Sequence, residues 1–183
     1  MANKRVAING FGRIGRLTFR AFLESGREDL DFVAINDLGS AEMNAYLLEF
    51  DSVHGRFRGR INVADGHLKT DGQDVAVLSE ATPEKLPWRN LGIDIVMECT
   101  GRFTDRDGAA KHLTAGAKRV LVSAPCSGAD LTVVFGVKQM SAGAGSQVML
   151  LTKNSRTKTG VVGLMLVILM SVFWAFALTT LDE

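Results

Sequence analysis

The chain has 183 residues, 46% of them hydrophobic and 22% charged, with a formal net charge of +1. That is enough for one well-cored domain and a little more, and the near-neutral balance excludes nucleic-acid binding through bulk charge. Its two cysteines, Cys99 and Cys126, make no secreted-type disulfide framework, no C-x-x-C or Cys/His spacing marks a metal, and no signal peptide precedes the first motif; together these point to the cytoplasm.

Val6-Ala7-Ile8 is a short apolar run that predicts a strand, and it leads into Asn9-Gly10-Phe11-Gly12-Arg13-Ile14-Gly15 and an amphipathic stretch. Strand, glycine turn and helix in that order suit a dinucleotide pyrophosphate. Gly10 turns the chain off the strand, Gly12 lets the backbone approach the phosphates, and Gly15 lets the helix pack against the strand. The free N–H groups and positive dipole end of that helix then face the anion. Ile14, Leu17, Ala21 and Phe22 share one helical face, and Gly26 stops the helix. Phe32-Val33-Ala34-Ile35 predicts a strand buried on both faces and ends in Asn36-Asp37. Asp37 lies twenty-two residues after Gly15, close to the spacing of an acid that accepts from a ribose 2′-hydroxyl. Its charge also favours NAD over NADP, whose 2′-phosphate would meet a like charge.

Ser40 is placed to cap a second helix carrying Met43, Leu47 and Phe50 on one side, with Glu42 in its first turn. The pattern then changes. Asp65-Gly66 and Asp71-Gly72 separate the short runs Ile61–Val63, His67–Thr70 and Val75–Leu78, which predicts hairpins and a small antiparallel excursion. Pro83 after Thr82 predicts a helix start. Ile93–Cys99 predicts a returning parallel strand ending at Thr100-Gly101. A helix with Ala109, Ala110 and Leu113 on its apolar side closes at Gly116, and strands follow at Val120–Val122 and Leu131–Phe135. Ligands of open α/β sheets sit beyond the carboxyl ends of strands, so Asp37, Thr100 and Ser123 are expected to gather near Gly10.

From Lys138 to Gly160 the chain is rich in Gly, Ser, Lys and Thr and reads as a linker. Val161–Leu178 is then free of charge, and no acid occurs between Asp130 and Asp182. A helix over Val161–Leu178 would span about 27 Å, just short of a hydrocarbon core. Three readings of this tail stand: a membrane anchor with a basic flank, a helix covering exposed domain surface, or a non-native extension from an altered reading frame.

INGFGRIGR, IND, FDSVHGRF, PW, GIDIVMECTGRFTDR, AGAKRVLVSAPCSGAD and TVVFGV, in that order over about residues 4–137, resemble the NAD-binding half of glyceraldehyde-3-phosphate dehydrogenase. The resemblance implies a Rossmann-type, doubly wound α/β fold, a mostly parallel sheet with a small antiparallel insertion, in residues 1–137; composition alone adds a linker at 138–160 and an apolar helical tail at 161–181. It implies NAD as cofactor. Arg13 and Ile14 are expected at the pyrophosphate and nicotinamide side of the turn, Asn36 and Asp37 at the adenosine end, Thr100, Gly101 and Phe103 on the adenine side, and Ser123 nearer the nicotinamide. Many family members carry a basic residue before the proline matched by Pro83, where this chain has Ala81-Thr82.

The family's cysteine-bearing segment and catalytic domain do not follow Val137. The expectation is therefore an NAD-binding portion of a phosphorylating dehydrogenase, truncated or frame-altered, with no catalytic residue of its own. The alternative is a membrane-tethered nucleotide-binding or interaction module. The family's subunit contacts come largely from the absent part, so a homo-oligomer is not expected. Cys126 and Cys99 read as structural thiols. His54, His67 and His112 read as surface or capping residues. The Arg56, Arg58 and Arg60 alternation reads as the solvent side of an excursion strand, with an anion grip as the competing reading.

Overall fold

The structure is a computed structural model that describes residues 3–70, 72–134 and 148–152. Strand β1 (Lys4–Asn9) is followed by helix α1 (Arg13–Ser25), β2 (Leu30–Asn36) and α2 (Ala41–Glu49). A minor ribbon, β3 (Phe50–Asp51) with β4 (Gly55–Arg56), precedes β5 (Ile61–Ala64), β6 (His67–Thr70) and β7 (Gln73–Leu78). Then come β8 (Ile95–Glu98), α3 (Arg106–Thr114), β9 (Arg119–Val122), β10 (Leu131–Val134) and β11 (Val148–Thr152).

The main sheet has nine strands among the described residues, in the order β10-β11-β9-β8-β1-β2-β7-β6-β5. Pairing is parallel from β10 through β7, and the β7–β6 and β6–β5 pairs are antiparallel. This is a Rossmann-like α/β fold. The chain runs outward from β1 to β2 and then β7, and returns on the other side of β1 with β8. The strand order therefore reverses between β1 and β8, where such sheets open a crevice.

Alternate residues of the central strands feed two cores, as period-two strands covered on both faces must. Val6 and Ile8 of β1 join Phe19, Phe22, Phe32 and Leu48 beneath α1 and α2. Ala7, between them, faces Ala34, Val96, Trp88 and Ile93 on the opposite side. Gly15 is fully committed to this packing: a Cβ there would stand 2.4 Å from the Gly10 carbonyl oxygen.

Several local expectations match what is seen. Gly26 closes α1 in the left-handed conformation, and the Ser40 side chain accepts from the Met43 amide at 3.2 Å. Asp65 and Gly66 both take positive φ between β5 and β6, as the tight hairpin turn requires. Other expectations need correction. The Met43 and Phe50 side of α2 is exposed, and Asn44, Ala45 and Leu48 are buried instead. The helix expected at Pro83 is a single 3-10 turn, Pro83–Lys85. Strand β7 does more than close the hairpin with β6. It also lies parallel to β2, with Asn36 opposite Leu78, which makes it part of the nucleotide-fold sheet. Within the stretch that reads as a linker, Val148–Thr152 forms β11 between β9 and β10. Its short apolar run, VMLLT, is embedded in glycine- and serine-rich sequence, and periodicity alone does not order parallel strands.

The predicted tail at 161–181, the remainder of the 138–160 segment, Phe135 and Asp71 lie outside the described residues. Among the described residues no helix is long and apolar enough to cross a membrane.

Candidate functional site

A cavity of about 260 Å³ opens at the β1/β8 reversal, beyond the carboxyl ends of the strands. Of the residues singled out by sequence, Gly10, Gly12, Asn36, Asp37, Thr100 and Phe103 line it. Arg13 and Ile14 stand just behind Gly12 in the first turn of α1, Gly15 is buried there, and Gly101 follows Thr100 without lining the cavity. Ser123 lies one strand further out, at the end of β9, where its amide donates to the Glu98 carbonyl at 2.9 Å. It does not line this cavity.

Gly10 has φ +90°, and a Cβ on it would lie 2.6 Å from the Thr100 nitrogen, so only glycine fits there without strain. Gly12 differs. Its φ is −68°, open to any residue, but a Cβ there would project into open space. That space is what a ligand's phosphates need. The next groups along the chain are the first N–H groups of α1, which has neither a side-chain cap nor an acid in its first turn.

Asp37 stands across this opening. Its Oδ2 accepts from the Phe11 amide and its Oδ1 from the Gly39 amide, both at 2.8 Å. A carboxylate has about four lone-pair sites, so each oxygen keeps capacity for a ligand hydroxyl. Below Asp37, Asn36 donates to the Glu80 carbonyl at 2.9 Å and accepts from the Glu80 amide at 2.8 Å, which fixes the segment after β7. Asn36 also donates to Asn9 Oδ1 at 2.6 Å.

Sequence reasoning did not single out Asn9, Leu38, Glu80, Ala81, Cys99 and Arg102 as lining residues. The strand-end rule would have found Glu80 and Ala81 had β7 been recognised as parallel to β2. Ala81 is exposed at the cavity edge.

The thiols are unsuited to nucleophilic work. Burial pushes Cys99, which borders the cavity, up to about 12, and burial also raises Cys126. A nucleophilic cysteine needs the opposite shift. His54 and His67 make surface pairs with Asp51 and Asp74. His112 is a correction to its surface reading: it is wholly buried against Glu98 and Trp88. Arg56, Arg58 and Arg60 are all exposed, although β4 contains only the first of them. A second cavity, of about 500 Å³, adjoins Arg20, His54, Arg56 and Thr70. Three of its basic side chains are engaged, Arg20 with the Gly55 carbonyl, Arg56 with Glu49 and His54 with Asp51, and exposed Arg58 also lines it.

A glycine turn at φ +90°, open space beside Gly12, an uncapped helix start and a carboxylate facing them are the parts of a dinucleotide-binding α/β domain. Residues 4–106 match the family described as glyceraldehyde 3-phosphate dehydrogenase, NAD binding domain, and the chain belongs to that family. It is 60% identical over 133 residues to glyceraldehyde-3-phosphate dehydrogenase of Xanthobacter flavus, covering 73% of this chain and 40% of the relative. The enzyme of Cereibacter sphaeroides is 57% identical, covering 73% and 39% of the two chains, and that of Thermotoga maritima 49%, covering 74% and 40%. The chain spans about two fifths of the length of the curated relatives it matches. NAD is the cofactor of this domain.

Proposed function

We propose that the cavity beyond β8, β1, β2 and β7 holds the adenosine half of NAD, and that the chain is the cofactor-holding portion of a phosphorylating glyceraldehyde-3-phosphate dehydrogenase. The observation that carries this reading is the Asp37 carboxylate, set across the opening beside Gly10 and Gly12. Asp37 takes the ribose hydroxyls and Asn36 supports it. The α1 amides from Arg13 onward, with Gly12, take the pyrophosphate. Thr100 and Phe103 line the adenine side, Gly101 continues the backbone between them, and Ser123 stands toward the nicotinamide.

Bound NAD supplies the hydride-accepting ring. The residues here orient the dinucleotide and exclude its 2′-phosphorylated relative, because Asp37 would oppose a second negative charge. Cys99 and Cys126, the chain's two thiols, are both shifted upward by burial, so they do not serve as the aldehyde-attacking nucleophile. Chemistry on the aldehyde is assigned to sequence that the relatives carry in their remaining length. Free cysteines fit a reducing compartment, and we place the protein in the cytoplasm. Calorimetric titration of the full chain tests the reading. Saturable binding of NAD, at least tenfold tighter than NADP, is expected; equal affinity for the two would overturn Asp37's assignment, and no binding would overturn the site.

A further inference from the structure

Beneath the cavity a continuous line of side-chain hydrogen bonds crosses the sheet. Its starting point, Trp88, donates from Nε1 to His112 Nδ1 at 3.0 Å. An indole N–H can only donate, so Nδ1 is an acceptor and the imidazole proton sits on Nε2. That Nε2 is 2.9 Å from Glu98 Oε2 and donates to it. The same oxygen accepts from Asn9 Nδ2 at 2.6 Å. Asn9 Oδ1 then takes the Asn36 amide at 2.6 Å, and Asn36 holds the Glu80 backbone through both its amide and its carbonyl. The other Glu98 oxygen accepts from the Thr100 amide at 2.8 Å and from the Thr100 hydroxyl.

The order of these residues is the order of the strands. Glu98 ends β8 with Thr100 two residues beyond it, Asn9 ends β1, Asn36 ends β2, and Glu80 follows β7; these four strands are neighbours in the sheet. Each of Asn9, Asn36, Glu80 and Thr100 also lines the cavity. His112 and Trp88 do not line it; both are wholly buried, and Glu98 is 1% exposed.

We infer that His112 and Glu98 are positioning residues for the nucleotide: His112 orients Glu98, and Glu98 sets the Asn9–Asn36–Glu80 wall against which the adenosine half docks. This rests on the nucleotide reading above. The chemistry supports a positioning role over simple core filling. An apolar residue of like size would fill the volume of His112 but strand the buried Trp88 indole N–H and take a donor from Glu98; the site instead holds an imidazole of one tautomer between a donor and an acceptor. Glu98 accepts four hydrogen bonds, so each of its donors is held in one orientation.

Two substitutions separate the links. In His112→Asn the side-chain oxygen can still accept from Trp88, but the chain is too short to reach Glu98. In His112→Gln the amide nitrogen reaches the former Nε2 position and keeps the Glu98 bond. The full chain and both variants are titrated with NAD and with ADP-ribose, and their thermal midpoints are recorded. The expected result is at least a tenfold weaker Kd for both ligands in His112→Asn, with rescue to within threefold of the parent in His112→Gln. Variants equal to each other in affinity for both ligands overturn the inference. So does a parent whose ¹⁵N-labelled His112 carries its proton on Nδ1, a measurement that needs no variant. A parent that binds neither ligand overturns the nucleotide reading and the positioning role with it, whereas a saturable parent with unchanged His112→Asn affinity overturns the positioning role alone.

Discussion

The two ends of the same parallel strands are finished in opposite ways. At the amino ends, charge faces water: Arg5 pairs with Asp31 at 3.2 Å, and Lys118 reaches Asp94 at 2.6 Å. Arg5 also donates from its backbone amide to Asp94 and from Nε to the Leu91 carbonyl, both at 2.9 Å. These contacts tie the edges of β1, β2 and β8 with long, solvated side chains, and each pair of this kind contributes about 0–1 kcal/mol. At the carboxyl ends the polar groups are short, buried and mutually saturated, from Glu98 through Asn9 to Asn36. Losing one partner there strands the others away from water, where they cost far more than their bond was worth. The amino end tolerates change because solvent substitutes for any lost partner. The carboxyl end does not, and that intolerance keeps the cavity in one shape.

The sharpest way to break this contrast is Glu98→Ala, which leaves buried donors on Asn9, His112 and Thr100 without an acceptor. A loss of about 3–5 kcal/mol in urea denaturation is expected, since each stranded donor costs about 1–3 kcal/mol. Gly10→Ala comes next: the positive φ and the 2.6 Å approach to the Thr100 nitrogen predict about 2–3 kcal/mol of destabilisation and loss of measurable NAD binding by calorimetry. Asp37→Asn is expected to leave the fold in place by circular dichroism while weakening NAD about 10- to 100-fold, roughly 1.4–2.8 kcal/mol.

Acid titration sharpens the other end. Burial pushes Asp94 upward, but Lys118 and the Arg5 amide more than offset it, and the net effect is a pKa below the usual carboxylate range. A lowered folded pKa contributes stability that is fully present above the unfolded value, about 3.9, and fades as pH falls through the folded one. Thermal midpoints recorded downward from pH 5 should therefore decline for the parent below about pH 4, with a shallower decline for Asp94→Asn. Asp31→Ala should matter least, within about 0.5 kcal/mol, and its effect should vanish in 1 M salt.

Much of the nucleotide end is legible in the sequence because local chemistry dictates it. Gly10 and Gly15 are required by backbone approaches that a Cβ would block, and Gly12 leaves its space open. Asp37 follows from a strand of fixed length and a helix of fixed rise. What escapes is set by long-range pairing. No periodicity reveals that Gln73–Leu78, a hairpin strand on one edge, is a parallel partner of β2 on the other, so Glu80 and Ala81 go unseen. The exposed Met43 and Phe50 likewise defeat an amphipathic reading, because α2 turns Asn44 and Leu48 inward instead. His112 is buried because three elements bring Trp88 and Glu98 to it across the sequence, 24 and 14 residues away.

Asp37 carries one consequence for anyone wishing to redirect cofactor choice. Its two oxygens already anchor the Phe11 and Gly39 amides, so under the proposed reading the carboxylate is a strut of the loop as well as a gatekeeper. Trading it for a small neutral side chain would remove the proposed repulsion toward a phosphorylated ribose and, in the same stroke, slacken the bend at Gly10–Gly12 that the proposal gives to the diphosphate. A switch of preference at this position therefore demands a replacement acceptor for both amides, supplied together with any new cation.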